Sequence, residues 1–506
     1  MLALILTFAL ANPPKITISK ETTYITGPLR ADGFVDYTQA FIASQGTVNP
    51  EENAAVALLQ AIGPVDDRKG RAKKLYEALR CPPPAKDGIY VKEDLKFLDD
   101  DESPPDPKPP NLITFDAYRR LKIHPWTEVD SPLVARLLER NQGPLDLFIE
   151  AAKRRVYWEP YIPASSSPGD FLPTSLITTE CRPAVRLLQA RIMLHVGRGE
   201  IDQGLAEIDA LHRLTELMNA GARVNFEVDL ATAFRPVICQ TERGAAFSGK
   251  LPLETLRRRI KKLIELPELG VYSHAVFNAD RFTVLAFLTN AFRLAGDPKT
   301  PPEKQPFDEI GMWVDDWPIT GKESYSTATA DECLRTVNRW FNRYIETSGR
   351  GTTRERKSAV LDLKSQLKER ANEVRRRYKK APNKGRPPNI DDLEFGRMIG
   401  EFCLATFISP LSFDTPMSAE TARRLTVLAY ACTIFKMEHG KYPARLDANE
   451  LGVPAAMLID PCTDNPFVDR VVNGKRQIVG ASSDGVVIPP GVKQPPGGYD
   501  YILELP

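Results

Sequence analysis

The chain has 506 residues, 42% hydrophobic and 26% charged, enough apolar side chain for a sizeable core and for about three domains. Its 67 lysines and arginines against 66 aspartates and glutamates leave a net charge of +1. That balance excludes a whole-protein electrostatic role on nucleic acid or acidic lipid.

Residues 2 to 11 are apolar and end in Ala9-Leu10-Ala11, a small-x-small pattern suited to signal-peptide cleavage, although no basic residue precedes them. The run is too short to span a bilayer, which takes about 20 residues. Residues 1–11 are therefore read as a signal-peptide-like segment cleaved near Asn12; an upstream start would make the segment a membrane anchor. Alternation over Lys15 to Lys20 suggests a short strand, and Asp32-Gly33 a turn. Asn49-Pro50 has the form of a helix cap followed by proline at the first helical position, so a helix is expected over Ala54 to Ile62, ended by Gly63-Pro64. A second is expected over Lys69 to Leu79. The segment from Asp99 to Pro110 is acidic and proline-rich, has nothing to bury, and is expected to be an exposed loop within an α-rich region at 12–125.

From 126 to 410 the pattern is helical. Val185, Leu188 and Ile192 form one apolar face, and Ile201, Leu205, Ile208, Leu211, Leu214 and Leu217 form another. Gly197 to Gly199 would join them as an antiparallel hairpin resembling one tetratricopeptide-type turn, without a sustained 34-residue repeat. Further helices are expected over Asn225 to Thr241, Leu253 to Leu266, His274 to Leu294, Asp331 to Thr347 and Arg354 to Tyr378. Residues 350–386 hold 14 basic and 4 acidic residues, yet Val360, Leu361, Leu363, Leu367, Ala371 and Val374 give the same stretch an apolar helical face. Its charges are thus read as a solvated face.

No motif for a nucleophile, a phosphate-binding loop or a zinc site occurs. The seven cysteines contain no C-x-x-C pair, and Cys239, Cys403 and Cys432 lie in apolar helical runs. None of the five histidines has metal-ligand spacing; His212 borders an apolar stripe and reads as a packing residue. Tyr157 to Tyr161 and Trp313 to Trp317 are aromatic stretches near prolines, read first as seams between helical layers and second as a ligand groove.

The last ninety residues are patterned differently. A helix over Ala422 to Glu438 would turn Leu425, Leu428, Ala429, Cys432, Phe435 and Met437 inward and stop at Gly440. Asn473-Gly474 between two β-type runs predicts a tight hairpin. Gly440, Tyr442, Pro443, Asp460, Pro461, Pro466, Ser482, Asp484 and Gly485 follow in an order that resembles the globular end of type II secretion pseudopilins. The resemblance implies a helix on a small sheet and an exported setting. It also implies calcium at Asp484, with Asp500 the further side-chain carboxylate. The family's processed N-terminal helix is not attached to this unit. The segments 28–37, 47–56 and 63–64, the 190–217 helix pair and the C-terminal unit together are similar to exported proteins of planctomycete type, and that similarity carries no activity with it.

These readings give a mainly α fold: a helical-hairpin, tetratricopeptide-like body at 126–410 and a small α+β pseudopilin-like unit at 411–506. The expected function is that of a non-catalytic exported scaffold or interaction protein, periplasmic or cell-envelope, with a protein partner and no nucleic acid. The alternatives are a hydrolase whose site is assembled from distant residues, and a secretion-system component. No catalytic or cofactor-binding residue is nominated.

Overall fold

The computed structural model describes residues 16–65, 70–98, 111–163, 175–270, 274–295, 325–349, 351, 353–379, 389–407, 414–482, 486, 487, 489 and 501–506. In chain order the helices are α1 (Tyr37–Ser44), α2 (Ala54–Ile62), α3 (Arg71–Leu79), α4 (Phe115–Ile123), α5 (Pro132–Arg140), α6 (Gln142–Glu150), α7 (Arg182–Arg198) and α8 (Ile201–Gly221). There follow α9 (Asn225–Ala246), α10 (Leu253–Glu265), α11 (His274–Ala295), α12 (Thr327–Ser348), α13 (Thr353–Lys379), α14 (Asp392–Phe407), α15 (Asp414–His439) and α16 (Ala448–Leu451). The strands β1 (Lys96–Leu98) and β2 (Leu112–Thr114) pair in parallel, and β3 (Val468–Val472), β4 (Lys475–Val479) and β5 (Ile502–Glu504) form an antiparallel sheet in that order. The fold is thus mainly helical with a small sheet.

Side-chain caps open several helices by taking up amide groups that have no partner inside the helix. Asn53 accepts from Ala55 N at the start of α2, Thr114 from Ala117 N at α4, and Ser326 from Thr329 N at α12. The α7–α8 hairpin forms as the sequence implies, with its turn one step later than expected. Gly197 lies inside α7, and Gly199 takes the left-handed conformation at φ 81°. Glu200 N then bonds back to His195 O at 2.8 Å, which closes the helix end.

By its contacts the chain forms two compact units, one of residues 1–46, 161–173 and 272–411, the other of 47–160, 174–271 and 412–506. In the first unit α14 lies directly on α12. A Cβ on Gly396 would sit 2.3 Å from Thr329 O, and one on Gly400 would sit 2.8 Å from Cys333 O. The two glycines, four apart on one helix face, are what allow this approach. The Lys15 to Lys20 strand expectation is not met over the described residues: Ser19 to Thr23 is a turn closed by Thr23 N to Ser19 O. This segment bonds to side chains of α12 instead, through Thr17 N to Asp331 and Asn338 Nδ2 to Glu21 O and Thr22 O.

In the second unit α15 is the central helix. Every residue from Leu425 to Cys432 is buried, so no face is left for solvent, as expected of a helix inside a core. It packs on α9 and α10, and it also meets the sheet, where Ser418 Oγ donates to Tyr501 Oη at 2.8 Å. Residues 412–506 belong to the same compact unit as 47–160 and 174–271; the boundary expected at 125 lies inside that unit, and the one expected at 410 falls beside the passage from the first unit to the second at 411/412. Met437, expected inward, is 52% exposed beyond the buried stretch. The hairpin turns where the sequence places it, with Asn473 and Gly474 both at positive φ, 51° and 78°. Asp460 is buried and ties its loop to the sheet: Oδ1 accepts from Cys462 N at 2.9 Å and Oδ2 from Ala481 N at 2.7 Å.

Alanine is a better helix former than glycine by about 1 kcal/mol, but at Gly396 the added methyl meets backbone, which cannot swing away. Gly396→Ala is expected to lower stability by about 2 kcal/mol, read as an earlier unfolding midpoint in urea. An unchanged or later midpoint would show that the contact yields.

Candidate functional site

The second unit holds a buried ionic cluster where α8, α9, α10 and α15 meet. Glu242, on α9, is wholly buried. Its Oε1 accepts from Arg259 Nε at 2.8 Å and Arg259 Nη2 at 2.5 Å, and its Oε2 lies 3.0 Å from His212 Nε2. Tyr430 Oη donates to Glu242 at 3.4 Å. Arg259 also bonds Asp209, whose second oxygen accepts from Lys262 Nζ at 2.6 Å. Burial alone would raise the Glu242 carboxyl; Arg259 and His212 outweigh it and hold its pKa at about 2. Burial lowers His212 despite its carboxylate partner, so the imidazole is neutral at pH 7. A neutral ring beside an ionised carboxylate must donate from Nε2, which leaves Nδ1 as a lone pair. Nδ1 has no hydrogen-bond partner among the described residues.

Outside this cluster lies a cleft of about 250 Å³ lined by Asp209, His212 and Glu216 of α8 and by Arg259 and Lys262 of α10. Arg235, 2% exposed in its side chain, stands nearby with Nη2 3.7 Å from Glu216 and Nη1 donating to Pro267 O at 2.9 Å. Arg213 stands beside Asp209 and Glu216 on the α8 wall and Glu265 beside Arg259 and Lys262 on the α10 wall, so neither wall carries one sign.

Two further clusters surround buried ionisable groups; in the first, the partners Glu200 and Asp146 reach the surface. His195, on α7, is buried with Nδ1 2.6 Å from Glu200 and Nε2 3.5 Å from Glu207, while Arg191 bridges Glu207 and Asp146 at 2.9 and 2.7 Å. Burial would lower this imidazole, and the two glutamates outweigh it and raise its pKa. Glu159 accepts from Tyr157 Oη at 2.6 Å, Ser175 Oγ at 2.9 Å, Ile177 N at 2.9 Å and Leu176 N. Glu227, at the start of α9, is buried and feels the Glu159 charge. Burial first, then Glu159, pushes its pKa up to about 8, against backbone bonds from Arg223 and Val224.

The sequence nominees fall as follows. Asp484 and Asp500, the calcium candidates, lie outside the described residues, as do the Asp99 to Pro110 loop, Trp313 to Trp317 and the 1–11 segment. Among the described residues no group of three His, Cys, Asp or Glu is placed to hold a metal, and no helix is long and apolar enough to cross a membrane. All seven cysteines are buried, and none is in a disulfide. Tyr157 and Trp158 plug a seam, the Tyr157 hydroxyl being bonded to Glu159 and Thr178. The basic helix α13 buries Val360, Leu363, Leu367, Ala371 and Val374, whereas Leu361, expected inward, is 51% exposed. His212, read as packing, is instead bonded to a carboxylate. The missed signal was Glu242, which falls four residues after Ile238 and three after Cys239, on an otherwise apolar face.

Removing the Glu242 partner leaves a buried bare charge, so Arg259→Met is expected to cost about 3–5 kcal/mol in urea unfolding. Adding Glu242→Gln should recover part of that loss, since the two act as a unit. The Glu242 contribution is present above the usual carboxylate pKa near 4.5 and disappears as pH falls through about 2. Glu227 has the opposite sign. Below about pH 4.5 both folded and unfolded states keep its proton; as pH rises toward 8 the unfolded state alone releases it, and folding weakens. Glu227→Gln is expected to stabilise the protein at pH 8 by at least about 2 kcal/mol and to flatten this fall, measured by urea unfolding from pH 5 to 8. A variant less stable than the parent at pH 8 would reverse the assignment. No family model matches the chain, and no curated protein and no solved structure is similar to it.

Proposed function

We propose that this chain is a non-catalytic exported scaffold that presents its helical surface to a protein partner. The observation that carries the reading is the closure of its buried ionisable groups on one another. Glu242 and Glu159 each already hold cations, hydroxyls or amides at both carboxylate oxygens, so neither stands ready for a substrate. The larger described groove, in the first unit, is lined by arginines, glutamates, amides and one tryptophan, a set suited to recognition. A periplasmic or cell-envelope setting rests on the apolar 2–11 run and its Ala9-Leu10-Ala11 end. A tetratricopeptide-like body is supported by the α7–α8 hairpin. A pseudopilin-like end, and with it a secretion-system setting and calcium at Asp484 and Asp500, is supported by the 440–443 stop and the helix-on-hairpin arrangement.

One observation favours hydrolysis instead: His212 lines the α8–α10 cleft and carries a buried Nδ1 with no hydrogen-bond partner among the described residues, with Glu242 orienting its other nitrogen. The two readings separate in one assay. The purified full chain should turn over none of a panel of chromogenic esters, peptides, phosphates and glycosides. Turnover that is lost in His212→Gln, with folding retained by circular dichroism, would replace the scaffold with a hydrolase.

A further inference from the structure

We propose that the groove formed by α12, α13 and α14 binds an extended acidic peptide segment of the partner protein. This rests on the scaffold reading and gives it a surface and a ligand chemistry. The groove encloses about 900 Å³. Between Arg354 and Arg377, α13 carries nine lysines and arginines against four acids, so its exposed side is basic.

The groove arginines differ in what holds them. Arg339 is paired with Glu332, and Arg370 lies 3.7 Å from Glu373. Arg343 and Arg376 have no carboxylate partner among the described residues. Arg343 lies with its guanidinium 4.5 Å from the Trp340 ring centre and donates to the neutral Gln366 Oε1 at 2.9 Å. Arg376 donates only to a backbone carbonyl, Asn372 O, at 3.4 Å. Arg343 is thus held by an aromatic ring and an amide, with no ion pair to break among the described residues. A guanidinium so placed is preorganised for a carboxylate. Gln366 and Asn372 add side-chain amides of the kind that bond peptide backbone. Glu401, which also lines the groove, is 7% exposed and already paired with Arg397 at 3.5 Å, which offsets its opposition to an incoming anion. Glu369 and Glu373 on the rim oppose a continuous polyphosphate more than separated carboxylates, so a peptide fits better than a nucleic acid.

The spacing sets the ligand. Gln366, which marks Arg343, and Arg376 are ten positions apart on α13, about 15 Å along the helix. An extended chain covers that distance in about five residues. Two carboxylates about five positions apart would therefore reach both guanidiniums.

The test uses the full chain and a fluorescein-labelled peptide with two glutamates about five positions apart in a serine and glycine background. Fluorescence anisotropy at low salt should show saturable binding that weakens with added salt and vanishes when the glutamates are replaced by lysine. Arg343→Glu with Arg376→Glu changes two exposed side chains and should weaken binding by at least about tenfold with the circular dichroism spectrum unchanged. No saturable binding, or binding indifferent to the double variant, overturns the proposal. So does displacement of the peptide by a single-stranded oligonucleotide of equal charge. A purified partner bound equally by parent and double variant would overturn the groove while leaving the scaffold standing; turnover in the substrate panel would overturn the scaffold itself.

Discussion

A single carboxylate, Glu242, is the constraint on which the second unit depends. It sits on α9 with no exposure to water, and an ion there is tolerable only if its lone pairs are filled. The groups that fill them come from three other helices: His212 from α8, Arg259 from α10 and Tyr430 from α15. Each must arrive in a fixed rotation for the geometry to close. Apolar packing alone would leave α15 free to turn about its axis, because its middle is apolar on all sides. The Tyr430 contact and the Arg423 bond to Leu263 O at 2.8 Å remove that freedom. The polar cluster therefore selects one packing among several of similar apolar burial.

Two carboxylates on the same helix meet opposite fates. Glu242 has a guanidinium and an imidazole within reach and stays ionised; Glu227 has backbone amides and a neighbouring anion and keeps its proton. Burial acts on both in the same sense, and the sign of the local charge decides. Such opposed pairs mark many active sites. Here both are enclosed, and the hydrogen bonds around them are directed inward to the fold.

The first unit is held by different means. Gly396 and Gly400 bring α14 against α12, and Tyr325 stacks on Phe395 with ring centres 6.0 Å apart. Arg281 lies over Tyr24 at 3.9 Å to the ring centre, which seats the turn at 19–24. With its apolar surface consumed in these contacts, the unit shows the outside a groove of charge and amide. That contrast, between carboxylates bonded within the second unit and guanidiniums that face no carboxylate among the described residues of the first, is what the proposed recognition role rests on.

The sequence by itself determined what is local. Helical periodicity located α2, α3, α7 to α13 and most of α15; Gly63 and Gly199 marked ends, and Asn473-Gly474 specified its turn, because each depends on backbone preferences within a few residues. Periodicity gave no warning of α4, α5 and α6, or of α14, whose packing face is glycine as much as apolar side chain. It also could not show that α15 belongs to the core of the helical unit, since a helix apolar on all sides names no partner. Only the tertiary structure decided which charges meet. His212, Glu242 and Arg259 are separated by up to 47 positions in sequence and joined by helix packing. Among the described residues Arg343 and Arg376 stand without carboxylates because of what the neighbouring helices place beside them. Ion pairing is set by distances between side chains of different elements, and those distances are fixed when the helices dock, not when they form.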